Sequence, residues 1–365
     1  MSASTALLFQ PLRVGLSNLK HRVVMAPLTR YRANTDHEHG DLGVEYYTQR
    51  ASVPGTLLVT EATFIAARAG GYPTAPGIWT EKQIAAWKKI TDAVHAKGSF
   101  IYLQLWALGR AAKPSVLKQE GLDFVSAGNI PTDPAGEAPR PLTIPEIKEY
   151  VQLYGTAASN AVHKAGFDGV EIHGANGYLV DQFLQTNSNN RTDEYGGSIE
   201  NRTRFALEVI DSVVASVGVE RTGIRLSPWS TYLSMHMPDP IPTFSALVTK
   251  IVEKHPELAY IHVVEPEGEQ QGIPTTESNK FLRDIWGPRP FIAAAGFDRE
   301  KAIKTVEEQG GLVAFGKLFI ANPDLPLRLR EGLELNDPNP NTFYTPAREF
   351  GFQKGEMETQ SKRQR

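Results

Sequence analysis

Residues 169–178 read GVEIHGANGY and join a strand pattern to a cluster of polar groups. The first four residues, Gly169 to Ile172, form the kind of run that is typical of a buried strand. His173 and Asn176 can both donate hydrogen bonds to one substrate oxygen, and the Tyr178 phenol can supply a proton nearby. Two donors on a carbonyl or nitro oxygen, with a positioned acid, can activate a conjugated double bond. We interpret the segment as catalytic rather than as a turn with polar caps.

The strand pattern at 168–172 recurs along the chain. Short apolar, β-branched segments lie near 22–26, 56–61, 100–105, 168–172, 222–226, 259–264, 290–294 and 312–315. Helical patterns separate most of them, at 81–97, 143–164, 199–217, 243–254 and 299–308. Eight alternating units predict an α/β fold, a (β/α)₈ TIM barrel with a parallel sheet. An open doubly wound sheet is the alternative, but no G-x-G-x-x-G follows the first strand.

The domain organisation predicted for the 365 residues is a single barrel, 1–365. A long excursion, 107–142, follows strand 3 and is rich in Pro, Gly and Ala. Loops of this length usually have a function, so we expect a lid or hairpin over the barrel mouth rather than an inert insertion. The polar tail 353–365 is predicted to be flexible.

Composition excludes several classes of protein. The net charge of −3 disfavours nucleic-acid or anionic-membrane partners, and no apolar run approaches a membrane span. The chain has no cysteine, which excludes disulfides, thiol catalysis and cysteine-ligated iron–sulfur clusters. The start, 1–8, lacks the pattern of a secretory signal. We expect a cytoplasmic monomer or homodimer with no metal site.

Polar or small residues stand where the predicted strands end, which is where barrel enzymes place their chemistry. Those positions hold Thr29, Gln104, His173, Arg225, Ala295-Gly296 and Gly316-Lys317. The last two pairs follow strands 7 and 8, where small residues and a cation commonly bind a phosphate of substrate or cofactor. Gln104 and Thr29 suit the pyrimidine edge of a flavin, and Arg225 could stabilise an anionic reduced flavin.

At this point the chain resembles the Old Yellow Enzyme family, and its fungal members in particular, from about Leu8 to Tyr344. The shared motifs occur in the same order and spacing. They are 25–30 MAPLTR, 70–72 GGY with 75–77 APG, 104–106 QLW, 173–178 HGANGY, 191–202 RTDEYGGSIENR, 225–228 RLSP and 319–324 FIANPD.

The resemblance implies an FMN-dependent ene-reductase that uses NADPH in a ping-pong cycle. It implies that FMN is held by Pro27, Leu28, Thr29, Ala62, Gln104, Arg225, Ala295, Gly296, Gly316 and Lys317. His173 and Asn176 would bind the activating oxygen of an α,β-unsaturated aldehyde, ketone or nitroalkene. Hydride would come from flavin N5 and the proton from Tyr178. Tyr72, Trp106 and Tyr344 would shape the substrate cavity.

The chain also departs from the family pattern. Lys317 stands where many relatives have arginine, which exchanges a bidentate fork for a point charge at the FMN phosphate. Ala62 and Ala295 stand at positions that are often glycine.

Three other functions stay open. The chain could be a dedicated fungal reductase or isomerase of the ergot-alkaloid type, although Tyr178 favours net reduction. It could be a flavin-binding sensor with little turnover, which the intact set of His173, Asn176 and Tyr178 disfavours. It could also be a flavin-free barrel lyase or aldolase, which would be colourless.

Overall fold

The computed structural model describes residues 5–266 and 275–345, and within them eight parallel strands close into a barrel. In chain order the strands are β1 (Leu12–Val14), β2 (Ser17–Leu19), β3 (Val23–Met25), β4 (Leu57–Val59), β5 (Thr63–Phe64), β6 (Phe100–Trp106), β7 (Val125–Ser126), β8 (Arg140–Pro141), β9 (Gly169–Gly174), β10 (Thr222–Leu226), β11 (Tyr260–Val264), β12 (Phe291–Ala294) and β13 (Leu312–Phe315).

The barrel consists of β3, β4, β6 and β9 to β13, each paired in parallel with the next, and β13 pairs back onto β3. The predicted (β/α)₈ barrel is confirmed, and each predicted strand segment corresponds to one of these strands. The antiparallel pair β1–β2 stands outside the ring, and β5 extends the edge of β6.

Helices cover the outside of the barrel. The α-helices of the described residues are Asp41–Arg50, Glu81–His95, Pro114–Gln119, Ile144–Ser159, Leu179–Leu184, Ile199–Val217, Ile241–Lys254, Lys280–Trp286, Arg299–Gln309, Lys317–Ala321 and Leu325–Glu331. A capping box begins the helix Ile144–Ser159, since the Thr143 side chain accepts the Glu146 N–H while the Glu146 side chain accepts the Thr143 N–H. That helix ends at Ser159 and continues as a π turn, Asn160–Lys164.

The excursion 107–142 is not a hairpin, because β7 and β8 pair in parallel. Buried Arg110 fixes it to a second loop near the barrel mouth. The Arg110 guanidinium donates to the carbonyls of Ile130, Leu233 and Ser234 at 3.3, 3.0 and 3.2 Å. The excursion and the loop after β10 are therefore held as one unit. The tail 353–365 lies outside the described residues, and so do residues 267–274.

The barrel interior changes character along its axis. Towards the N-terminal ends of the strands it is filled by apolar and aromatic side chains, Val24, Leu57, Tyr102, Tyr260 and Ile292 among them.

Nearer the C-terminal ends it carries a polar layer. Gln104 lies opposite Glu171 in the sheet register, and Arg225 lies opposite both His173 and His262. No helix among the described residues is long and apolar enough to cross a membrane.

Candidate active site

A cavity of about 590 Å³ opens at the C-terminal mouth of the barrel. Its walls come from the polar layer and from the loops above it. It is lined by Pro27, Leu28, Thr29, Tyr31, Ala62, Gln104, His173, Asn176, Tyr178, Arg225, Tyr232, Lys317, Ile320, Phe343 and Tyr344. A second cavity, of about 640 Å³, lies beside the helices Lys280–Trp286 and Arg299–Gln309 and contains none of the residues predicted for the site.

The predicted catalytic residues converge on this cavity. His173 is the penultimate residue of β9, rather than a residue beyond it, and its ring centroid is 4.7 Å from that of Tyr178. Gln104 and Arg225 likewise lie inside their strands, near the C-terminal ends. Parallel strands direct alternate side chains into the barrel, so these residues face one interior.

A turn with two left-handed residues places Asn176 and Tyr178. Asn176 has φ +55° and Gly177 has φ +76°, a conformation that costs energy for Asn and little for Gly. Ser227 Oγ accepts the Asn176 N–H at 2.7 Å, and Asp181 Oδ2 accepts the Gly177 N–H at 2.9 Å. These two bonds hold the turn that carries both polar groups.

Burial sets the protonation of the two titratable groups. It lowers the pKa of His173 well below its usual value, and the positive charge of Arg225 adds to the effect. Burial, together with neighbouring tyrosines such as Tyr72 and Tyr232, raises the pKa of Tyr178 well above its usual value. The site at neutral pH therefore contains a neutral imidazole and a protonated phenol, the states required for a donor and an acid.

On the barrel side of the cavity, the buried carboxylate of Glu171 contacts Gln104 and His262. Glu171 Oε1 accepts from Gln104 Nε2 at 2.7 Å, and Glu171 Oε2 lies 2.8 Å from His262 Nδ1. Burial alone would raise the pKa of Glu171, but His262, Arg225 and Gln104 outweigh it and hold that pKa below its usual range. Sequence reasoning missed Glu171, because it appears as one polar residue inside an apolar strand.

The predicted phosphate residues lie at the ends of β12 and β13. Lys317 lines the cavity, and a Cβ on Gly316 would stand 3.1 Å from Leu28 Cδ2. Ala295 and Gly296 follow β12 with φ +80° and +71°, and they are not among the lining residues. Left-handed backbone is strained for alanine, and such strain is common at ligand sites.

The three predicted substrate-cavity residues occupy different depths. Trp106 is buried behind the site, with its ring centroid 4.9 Å from that of Tyr178 and stacked at 6.4 Å on His173. Tyr72 packs against Trp106 at 5.7 Å, and exposed Tyr344 lines the rim. Trp106 thus packs against the rings of His173 and Tyr178.

The rim contains residues that the sequence did not suggest. Tyr31, Tyr232, Ile320 and Phe343 all line the cavity. Phe343 is held there because Arg30 Nε donates to its carbonyl at 3.1 Å. A usable signal existed for Tyr31, which directly follows the first shared motif and stands two residues after Thr29.

The residues present fit FMN. Among the described residues, Arg225 Nε and His173 Nδ1 are buried without a hydrogen-bond partner, as expected for groups that would bind a ligand. The same cavity carries the Gln104 amide for a polar ring edge and the Lys317 ammonium for a phosphate.

Comparison with known proteins places these features in a wider group. The sequence model of the NADH:flavin oxidoreductase / NADH oxidase family matches residues 7–336. The chain is 49% identical over 352 residues to chanoclavine-I aldehyde reductase fgaOx3 of Penicillium roqueforti, covering 94% of this chain and 95% of the relative. It is 46% identical over 362 residues to a probable inactive dehydrogenase, easA, of Claviceps fusiformis, covering 96% and 94%. Among solved structures, Old Yellow Enzyme from Pichia sp. AKU4542 matches with a TM-score of 0.88 and 39% identity, over 94% of this chain and 91% of that one.

Proposed function

Since the chain belongs to the NADH:flavin oxidoreductase / NADH oxidase family, as an FMN-dependent oxidoreductase of the Old Yellow Enzyme type, we propose that it reduces the C=C bond of α,β-unsaturated aldehydes, ketones or nitroalkenes with NADPH. The observation that carries the proposal is the convergence of His173, Asn176 and Tyr178 on the cavity that also holds Gln104 and Arg225.

The chain's own residues would bind the substrate and supply its proton. Neutral His173 and the Asn176 amide donate to the carbonyl or nitro oxygen and stabilise the negative charge that develops there. Bound FMN would supply the hydride for the β-carbon, with NADPH as its reductant. Tyr178 donates its proton to the α-carbon, and its raised pKa keeps the phenol protonated until the enolate forms.

Residues on the other walls would hold the cofactor. Gln104 and Thr29 would hold the pyrimidine edge, Arg225 would stabilise the reduced ring, and Lys317 would bind the phosphate. Pro27, Leu28, Ala62, Ala295, Gly296 and Gly316 would contribute backbone and small side chains to the same site.

A dedicated substrate in fungal secondary metabolism is the second candidate. The similarity to chanoclavine-I aldehyde reductase favours it, and Tyr178 then favours reduction over isomerisation. A flavin-binding protein of low turnover is the third, because one close relative is named as probably inactive. The family match argues against the flavin-free lyase or aldolase.

Anaerobic stopped-flow absorbance tests the proposal. NADPH should bleach the flavin band of the purified protein, and 2-cyclohexenone should then restore it. Bleaching without recovery would contradict general ene-reductase activity, and an enal panel would then test the dedicated substrate. The absence of bleaching would contradict the reductase altogether.

A further inference from the structure

The structure assigns a role to Glu171 that the reaction itself does not require. We propose that Glu171 is a positioning residue for the flavin: its carboxylate orients the Gln104 amide and offsets the charge of Arg225, and so lowers the reduction potential of bound FMN. The inference rests on the proposed function in one respect, that FMN occupies the cavity at the mouth of the barrel.

The contacts of Glu171 fix the Gln104 amide in one orientation. Both carboxylate oxygens are engaged, one by Gln104 Nε2 at 2.7 Å and the other by His262 Nδ1 at 2.8 Å. A carboxylate can only accept, so it must face the amide nitrogen and not the amide oxygen. Gln104 therefore offers its carbonyl oxygen, an acceptor, to the cavity that it lines.

That orientation has a chemical consequence for the ligand. The pyrimidine edge of an isoalloxazine ring presents an N–H group between two carbonyls, and an amide oxygen matches that N–H. Replacing the carboxylate by an amide would remove the reason for this orientation, since the Gln104 amide could then face it with either end.

Glu171 also offsets the positive charge of Arg225. Arg225 stands on β10 between β9 and β11, in register with His173 and His262. Burial lowers the pKa of His262, so His262 is a neutral donor to Glu171 and adds no positive charge. Glu171 is thus the carboxylate that opposes the Arg225 cation beneath the cavity. Because Glu171 is fully buried, its charge is poorly screened by water and acts strongly on Arg225.

Removal of the Glu171 charge should therefore favour the reduced cofactor. The reduced isoalloxazine is readily anionic, and an unopposed Arg225 stabilises that anion more than the neutral oxidised ring. We expect Glu171→Gln to increase the affinity for reduced FMN relative to oxidised FMN about tenfold, which is about 30 mV for a two-electron couple. The reduction potential of FMN bound to this variant should therefore rise.

A purely structural role for Glu171 makes a different prediction. In that case loss of the buried network should weaken FMN binding and stability without a preference between the redox states. His262→Gln is the matched control, because it disturbs the same network but keeps the Glu171 carboxylate and leaves an amide that can donate to it.

The experiment measures the two-electron potential of the FMN-loaded protein by spectroscopic titration against a reference dye. Glu171→Gln should raise the potential, and His262→Gln should leave it close to that of the wild type. Equal potentials in the wild type and Glu171→Gln, or a lower potential in the variant, would overturn the inference.

Glu171→Asp covers the case in which Glu171→Gln does not retain FMN. It keeps the charge but withdraws it by one methylene from Gln104 and Arg225, so the potential should rise by a smaller amount. No rise in Glu171→Asp would then overturn the inference. Failure of the proposed function is distinguishable, because it would appear in the wild type as a protein without flavin or without reoxidation by enone.

Discussion

The Asp181 carboxylate accepts the Gly177 N–H at 2.9 Å, between the two polar residues Asn176 and Tyr178. Its other oxygen accepts from Gln185 Nε2 at 2.8 Å, and Gln185 Oε1 in turn accepts the His236 N–H at 3.0 Å. Two buried side chains, Asp181 and Gln185, thus connect the turn that carries Asn176 to the loop after β10, which contains the cavity residue Tyr232.

Asp181→Asn should change how stability depends on pH. Burial raises the pKa of Asp181 from 3.8 to about 7, so its contribution is full below about pH 4 and is lost as pH rises through 7. The asparagine side chain of the variant cannot ionise, so the stability of the variant does not fall with this titration. Its free energy of unfolding relative to the wild type should rise by roughly 2–3 kcal/mol between pH 5 and pH 8. Urea denaturation at saturating FMN measures it, and parallel pH curves would contradict the assignment.

His173→Ala should weaken the binding of a phenol to the oxidised protein by roughly tenfold to a hundredfold, because a hydrogen bond to a charged oxygen is lost. A phenol bound against oxidised flavin gives a long-wavelength charge-transfer band, and this band should disappear in the variant. Since the pKa of His173 is held well below its usual value, wild-type affinity should show no step near pH 6.5. A retained band at unchanged affinity would remove His173 from the binding site.

Lys317→Ala should raise the Kd for FMN roughly tenfold to a hundredfold, because a charge-assisted hydrogen bond to the phosphate contributes roughly 1.5–3 kcal/mol. Lys317→Arg should lower the Kd, since the guanidinium can bind bidentately. Lys304→Ala is the control. It removes the same charge from the outer helix Arg299–Gln309. Fluorescence titration of the apoprotein measures all three. Equal losses in Lys317→Ala and Lys304→Ala would show a general charge effect.

Ala295→Gly should stabilise the protein by about 1 kcal/mol, because glycine adopts the observed φ of +80° without steric cost. Ala294→Gly, one residue earlier in β12, should instead destabilise it, since strand backbone gives glycine no advantage. Thermal unfolding at saturating FMN compares the pair. A lower Tm for Ala295→Gly than for the wild type would show that the alanine methyl contributes more than its strain costs.

Much of the fold could be predicted because barrel strands buried on both faces are short β-branched runs. The helix Asp41–Arg50 escaped prediction for a specific reason. Its buried face includes Arg50, whose guanidinium donates to the Ile320 carbonyl at 2.6 Å, so its apolar spacing is interrupted. Helical periodicity detects a helix whose buried face is apolar, so it does not detect one whose buried face includes a hydrogen-bonded arginine.

The site could be predicted where it coincides with strand ends and not where loops fold over it. Tyr232 and Phe343 reach the rim because Arg110 and Arg30 bind backbone carbonyls of their loops. Every residue has a backbone carbonyl, so the sequence does not indicate which carbonyl an arginine side chain will bind. The role inferred for Glu171 likewise depends on Gln104 and His262, which are distant in sequence and meet only when the barrel closes.

The most direct test of the account is the behaviour of Tyr178→Phe in the two half-reactions, followed separately by anaerobic stopped-flow. Reoxidation of the reduced protein by 2-cyclohexenone should slow by roughly 10²- to 10⁴-fold, the usual contribution of a positioned acid, while NADPH reduces the flavin at the wild-type rate. Tyr150→Phe removes a hydroxyl that donates to the Arg68 carbonyl, and neither residue lines the cavity, so this variant should match the wild type in both steps. Equal slowing of both half-reactions in Tyr178→Phe, or no slowing of reoxidation, would contradict the assignment of Tyr178 as the proton donor.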